Sequence, residues 1–243
     1  MIIALIPSRL NSNRLNKKPL LIIDGLPIIV HTFKRTQLAK KIDKVIVCTD
    51  SIEIKKVVEI HGGEALLTSK KHINGTERIA EIAKKFKRAK FIIDVQGDEP
   101  LVDPKDIDKV IDFHKKNKNF DIVLPINKTK NADDKSLIKV AHSGKKILYF
   151  SRTKIPFNIK EKKINYYKDL SVISFKPKAL QKFANLKQSY LESIEGIELL
   201  RALENNLTIG TYLATGSSFG VNVKQDLLRA IGEMSKSNIR KLY

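Results

Sequence analysis

Residues 2–20 read Ile2-Ile3-Ala4-Leu5-Ile6-Pro7-Ser8-Arg9-Leu10-Asn11-Ser12-Asn13-Arg14-Leu15-Asn16-Lys17-Lys18-Pro19-Leu20. The opening run through Pro7 is continuously apolar, as a strand buried on both faces requires, and it empties into a polar loop. In that loop Arg9, Arg14 and Lys18 recur every four or five residues and can converge on one polyanion. A strand end that delivers three cations to one crevice suggests a triphosphate site; the plain alternative is a basic surface loop.

The same alternation continues downstream. Apolar positions from Pro27 to about Leu38 fall near helical spacing, and Lys44–Asp50 is a second strand closed by an acidic turn. A helix over Ile52–His61 stops at Gly62-Gly63, and Ala65-Leu66-Leu67 is a short strand. The spacing predicts a helix over Thr76–Phe86, a fourth strand at Phe91–Val95 and another helix opened by Pro104. Continuous apolar strands alternating with helices indicate an α/β fold: a mostly parallel central sheet with helices on both faces. Asp121–Ile126, Lys146–Phe150 and Leu170–Phe175 read as further strands. Pro177–Leu186 and Glu192–Glu204 read as helices, Leu207–Leu213 as a strand and Val223–Met234 as a closing helix. Residues 127–136 and 158–168 are rich in lysine and asparagine and look like exposed loops. Neither a repeat nor a linker divides the 243 residues, so residues 1–243 are expected to form a single domain, with halves at about 1–120 and 121–243.

Composition narrows the function classes. No apolar run approaches the ~20 residues that span a bilayer, so membrane insertion is not expected. The start of the chain lacks a positive n-region and a cleavage site, and Cys48, the single cysteine, cannot form an intrachain disulfide. Both features favour the cytoplasm. The net charge of +20 comes from lysines scattered over the whole chain. A solvated, compositionally biased surface accounts for it; loose polyanion attraction and specific nucleic-acid binding are the alternatives, and no nucleic-acid motif supports the last. The histidines at 31, 61, 72, 114 and 142 show no metal-ligand spacing and read as surface or structural, with His72 nearest a loop of interest. Neither a Walker loop nor a Gly-x-Ser-x-Gly nucleophile is present.

Two more groups fall at strand ends, where α/β sheets bind ligands. In Asn74-Gly75-Thr76-Glu77-Arg78, Gly75 permits close backbone approach and free N–H groups at the helix start can hold an anion or a base carbonyl; an ordinary helix start is the alternative. In Val95-Gln96-Gly97-Asp98-Glu99-Pro100, Asp98 stands at a strand tip where a carboxylate suits Mg²⁺, which often uses one or two carboxylates plus substrate phosphates; a simple turn is the alternative.

Together these groups resemble the CTP-dependent cytidylyltransferases that activate 3-deoxy-manno-octulosonate (Kdo), the acidic sugar at the root of lipopolysaccharide. The loop from Ser8 to Leu20 looks like that family's nucleotide loop, Asn74–Arg78 its S-G-T-E-R segment and Val95–Pro100 its V-Q-G-D-E-P. Leu148-Tyr149-Phe150-Ser151-Arg152-Thr153-Lys154-Ile155-Pro156 is similar to its L-Y-F-S-R-x-x-I-P, and Glu192–Glu195 and Glu198–Leu203 match E-x-x-E and E-x-L-R-x-L. The resemblance implies a Rossmann-like nucleotidyltransferase fold and the reaction CTP + sugar acid → CMP-sugar acid + pyrophosphate. It implies that Arg9, Arg14 and Lys18, with Pro7 and Ser8 beside them, hold the CTP phosphates. Gly75, Thr76, Arg78 and Gln96 would lie at the cytidine. Arg9, Lys18 and Asp98 would be the catalytic set, and Arg152, Asp169, Glu192 and Glu195 would form the sugar-acid pocket. Mg²⁺ on Asp98 and Asn222, and a homodimer built through the second half, follow from the same resemblance.

Two positions depart from the family pattern. Where the family has Gly-Val-Asp with a metal-binding aspartate, this chain has Gly220-Val221-Asn222. A missing unit charge ~4 Å away is worth about 4 kcal/mol per unit of ion charge at an effective dielectric near 20. Where the family has a sugar-site histidine, this chain has Asp169, which repels an acidic group and accepts an ammonium or hydroxyls. An amino-substituted or nonulosonic sugar acid and a catalytically weakened homologue therefore stand as rival readings; a basic nucleic-acid binder rests on net charge alone.

Overall fold

β1 (Ile2–Ser8) is buried along its whole length. Its alternating side chains serve two cores, as the period of a strand demands. Ile3 and Leu5 pack with Ile46, Ile79, Ile82 and Ile92 on one face. Ala4 and Ile6 pack with Ile29, Phe33, Val47 and Val58 on the other. Each such fully buried Ile or Leu contributes ~1.5–3 kcal/mol. The computed structural model describes residues 1–11, 14–160, 164–216 and 218–243. Ser12 and Asn13 of the opening loop, and residues 161–163 of the expected loop at 158–168, lie outside the described residues.

After a 3₁₀ turn at Lys18–Leu20, β2 (Ile22–Ile23) and β3 (Leu26–Pro27) form a small hairpin leading into α1 (Ile28–Gln37). Then follow β4 (Lys44–Thr49), α2 (Ile52–Ile60), β5 (Ala65–Leu67), α3 (Gly75–Ala83), β6 (Phe91–Val95) and α4 (Pro104–Lys116). The second half comprises β7 (Ile122–Thr129), β8 (Lys139–Ser143), β9 (Lys146–Ser151), β10 (Tyr166–Asp169), β11 (Val172–Phe175), α5 (Pro177–Asn185), α6 (Tyr190–Glu195), α7 (Leu199–Glu204), β12 (Ile209–Leu213) and α8 (Lys224–Ser235). Among the described residues one sheet of ten strands runs β10-β8-β9-β12-β7-β11-β6-β1-β4-β5.

The α/β class read from the sequence is the observed one. β5, β4, β1 and β6 are mutually parallel, as are β7 and β12. The chain leaves β1 towards β4 and β5 on one side and then crosses to β6 on the other. The order reverses at β1, so the crevice beyond the carboxyl ends of β1 and β6 is the topological switch point.

The second half departs from the sequence reading in three places. The helix expected over Glu192–Glu204 is two helices, α6 and α7, separated at Gly196 with φ of 63°. Strand β7 runs on to Thr129, and β10 pairs antiparallel with it from Tyr166, so parts of both expected loops are sheet. Strand β8 has no counterpart in the sequence reading; it pairs with β9 and touches β10 at Lys139–Lys168. The polar residues that masked these strands are edge and rim positions of a half-exposed sheet.

Candidate active site

The tips of β1 and β6 touch. A Cβ on Gly97 would lie 2.5 Å from the Pro7 carbonyl oxygen, so only glycine permits this approach. Asp98 follows directly and meets the opening loop. Lys18, anchored by the buried Pro19 in its 3₁₀ turn, donates from Nζ to Asp98 Oδ2 at 2.6 Å and to Asn222 Oδ1 at 3.2 Å. Arg14 Nη2 donates to the same Asn222 oxygen at 3.1 Å. Asn222 lies just ahead of α8, held there because its own N–H donates to Asp226 in the first helical turn at 2.8 Å. Residues at 14, 18, 98 and 222 thus meet at one point, on the wall of a cavity of about 1360 Å³.

The cavity also gathers Pro7, Ser8, Arg9, Gly75, Arg78 and Gln96 from the first half. From the second half it gathers Arg152, Asp169 and Glu192. Two expected residues do not line it. Thr76 is fully buried and donates to Glu198 Oε1 at 2.8 Å. Glu195 is turned to its own neighbours, accepting from Ser151 Oγ and from the Arg152 N–H, both at 2.7 Å. Two others line it with their charges already engaged. The Arg78 guanidinium reaches Asp50 at 2.9 Å and the Thr68 hydroxyl. Glu192 accepts two bonds from Arg201, at 2.6 and 2.7 Å, and closes the capping box of α6. The Arg152 side chain is held by four backbone carbonyls, those of Lys135, Ser136, Glu195 and Gly196.

Electrostatically, burial opposes the ionisation of several carboxyl groups: Asp169, Glu198 and Glu99 on the wall, and Asp94 behind it. Burial pushes Asp169 up to about 7, with neighbouring Glu99 adding to the shift and Lys168 and Arg152 working against it. Burial also pushes Glu198 up to about 7, against the hydrogen bond from Thr76 and the charge of Arg201. Asp94 is raised well above the usual carboxylate range by burial and by the charge of Glu198, and Glu99 is raised by burial. Gln96 Nε2 donates to both Asp94 oxygens, at 3.1 and 3.0 Å. Ser218 Oγ donates to Glu99 at 2.7 Å.

A crevice of this kind, with cations facing a strand-tip carboxylate, fits a nucleotide-transfer site. Residues 3–209 match the family model described as Cytidylyltransferase. The chain belongs to the cytidylyltransferase family. It is 38% identical to the 3-deoxy-manno-octulosonate cytidylyltransferase of Thermodesulfovibrio yellowstonii, covering 93% of this chain and 94% of that one. It is 34% identical to the enzyme of the same name from Fusobacterium nucleatum, over 98% of both chains. A solved structure titled CMP:2-keto-3-deoxy-manno-octonic acid synthetase complexed with CTP superposes with a TM-score of 0.92 at 29% identity, over 97% of this chain and 98% of that one.

In this cytidylyltransferase the donor set for a metal is small. Among the described residues no three His, Cys, Asp or Glu side chains gather as a metal cluster. Asp98 Oδ2 and Asn222 Oδ1 nevertheless converge on one positive charge, the Lys18 ammonium. A pair of oxygens already cradling a cation fits Mg²⁺ completed by a ligand's phosphates.

Sequence reasoning gave no role to Asp94, Glu99, Lys139 or Glu198. Two had a legible signal: Asp94 interrupts Phe91–Val95 and Lys139 interrupts Leu137–Ala141, both otherwise apolar. Glu198 and Glu99 sat inside quoted motifs, where nothing local told which acid faces a cavity. Of the histidines, His31 and His114 are buried and hydrogen-bonded within the core, and His72 lines the cavity and contacts Glu81 at 2.5 Å.

Proposed function

We propose that this chain is a 3-deoxy-manno-octulosonate cytidylyltransferase, forming CMP-Kdo and pyrophosphate from CTP and Kdo for lipopolysaccharide biosynthesis. The observation that carries the reading is the meeting of Arg14, Lys18, Asp98 and Asn222 on the wall of a cavity that Arg152 and Asp169 also line. The anomeric hydroxyl of the sugar attacks the α-phosphorus in line and pyrophosphate departs. Arg9, Arg14 and Lys18 neutralise the triphosphate, the guanidinium forks taking pairs of oxygens and the lysine a single one. Gly75 and the N-terminal turn of α3 receive the base, and Arg152 faces the sugar carboxylate. The work is positioning and charge neutralisation, which suffices for phosphoryl-type transfer. Asp98 and Asn222 are the residues that would hold Mg²⁺, which when bound supplies charge compensation on the phosphates and acidifies the attacking hydroxyl.

Further parts of the reading rest on less. Phe157, Ile159, Tyr190 and Ile194 leave large apolar side chains exposed in the second half, which supports a homodimer formed there. No described helix is long and apolar enough to cross a membrane; with the single buried cysteine this supports a cytoplasmic enzyme. The reading is tested by pyrophosphate release from CTP with a panel of sugar acids, in the parent chain and in Asp98→Asn. Kdo-dependent release that falls at least ~100-fold in the variant is the expected result. Release with no sugar acid of the panel, or an Asp98→Asn enzyme as fast as the parent, overturns it.

A further inference from the structure

Lys139 has no accessible surface, and among the described residues no carboxylate lies within ion-pair distance of it. Its ammonium instead spends its three protons on three carbonyls: Asp134 at 2.7 Å, Leu137 at 2.8 Å and Arg152 at 2.5 Å. A buried ammonium whose hydrogen bonds all go to neutral carbonyls, with no carboxylate in direct contact, is an expensive arrangement for a core to keep. The position of those dipoles gives the reason. Asp134 and Leu137 bound a tight turn, closed by a bond from the Leu137 N–H to the Asp134 carbonyl and by one from the Ser136 N–H to the Asp134 side chain. The turn lines the cavity. Its two inner carbonyls, of Lys135 and Ser136, accept from Arg152 Nη1 at 3.5 and 3.0 Å. One turn is therefore gripped by Lys139 through its outer carbonyls and by Arg152 through its inner ones. The Arg152 main chain is tied to the same ammonium.

Sheet register makes the hub tighter. Lys139 pairs with Ser151, the residue before Arg152, and with Lys168, the residue before Asp169. The Asp169 N–H donates to the carbonyl of Ile138 at 3.2 Å.

We propose that Lys139 is a positioning residue for the sugar acid: by gathering the carbonyls of Asp134, Leu137 and Arg152 it fixes the 134–137 turn and so aims the Arg152 guanidinium and the Asp169 carboxyl into the cavity. The proposal rests on the reading of Arg152 as the sugar-acid side of the site, and it adds the residue that sets that side's geometry. Among the described residues, no contact of Lys139 reaches the nucleotide loop, so its influence falls on one substrate only. Burial also lowers the tendency of its amine to hold a proton, and the charge of Arg152 adds to that, while the negative charges of Asp134, Glu195 and Asp133 work the other way.

The test is steady-state pyrophosphate release, with CTP and Kdo varied separately, for the parent, Lys139→Met, Lys139→Arg, Arg152→Met and the Lys139→Met/Arg152→Met double variant. We expect Lys139→Met to raise the KM for Kdo by about tenfold or more, since an ångström of misplacement can cost ~100-fold. The KM for CTP should stay within about twofold of the parent. Lys139→Arg, which keeps the charge and several donors, should recover part of the loss. The double variant should bind Kdo no worse than Arg152→Met alone, because both changes disable the same group. Equal rises in both KM values, or losses that multiply in the double variant, overturn the proposal. If Arg152→Met raises the KM for Kdo and Lys139→Met does not, the proposal fails alone. If Arg152→Met leaves that KM unchanged, the reading of the sugar-acid side fails and the proposal with it. Lys139→Gln, which keeps two donors, replaces a Lys139→Met enzyme that does not fold and is read in the same way; failure of both to fold makes Lys139 a core residue only and overturns the proposal.

Discussion

Asn222 is an amide where two cations and a carboxylate meet, and its carbonyl accepts from Arg14 and Lys18 without contributing charge. Asn222→Asp adds a negative charge next to Asp98 at that point. The concentration of Mg²⁺ giving half-maximal rate should fall about tenfold, equivalent to ~1.4 kcal/mol. An unchanged midpoint in a Mg²⁺ titration of pyrophosphate release would show that position 222 does not touch the ion. Asp169 gives a pH-dependent outcome. Its folded carboxyl titrates at about 7 because of burial, well above the ~3.9 of an unfolded chain. Below the unfolded value both states are protonated and nothing is lost. Between the two values the unfolded chain binds fewer protons, so this group lowers stability progressively as pH rises, and fully above 7. Asp169→Asn should therefore melt near the parent's temperature at about pH 4 and above it at pH 8, a difference that thermal melts at both values will read.

At the scale of elements, the site depends on how closely two strand tips approach. Gly97→Ala puts a methyl group 2.5 Å from the Pro7 carbonyl oxygen and 3.3 Å from Ile29 Cδ1. Backbone cannot yield as a flexible side chain does, so β1 and β6 must separate at their ends. We expect a loss of ~1–3 kcal/mol in denaturant unfolding together with a larger proportional loss of activity, because Asp98 moves with the tip. Activity that follows stability alone would show that the tip contact does not set the Asp98 geometry. Elements of the first half were legible because β1, β4 and β6 are apolar along most of their length and their helices amphipathic, so periodicity reported burial directly. The second half was less so. Glu192–Glu204 keeps helical spacing across Gly196, and only the left-handed backbone there shows the chain turning between α6 and α7. Strands β8 and β10 carry lysines and tyrosines because they sit at the rim, where alternation is diluted.

Across the whole molecule, α3 of the first half and α6 of the second are joined by a buried cation. Arg201 is fully buried and reaches Glu77 on α3 at 3.1 Å and Glu192 on α6 at 2.6 Å. Arg201→Met leaves two carboxylates, one of them buried, without their partner, and should cost about 3–5 kcal/mol in chemical denaturation; a loss under ~1 kcal/mol would mean that the two acids find other donors. Of the scattered lysines behind the +20 charge, Lys139 is the one buried in the core among the described residues. By itself the sequence determined the α/β class, the strand ends that carry Arg14, Lys18 and Asp98, and the family, since these follow from local patterning and from motifs contiguous in the chain. Only the tertiary structure decided that Thr76 and Glu195 face protein, that Arg78 and Glu192 are already engaged, and that Lys139 organises a turn. Burial and hydrogen-bond partners are properties of residues far apart in sequence, such as Lys18 with Asn222 or Thr76 with Glu198, and no local pattern encodes which of several like charges will be desolvated.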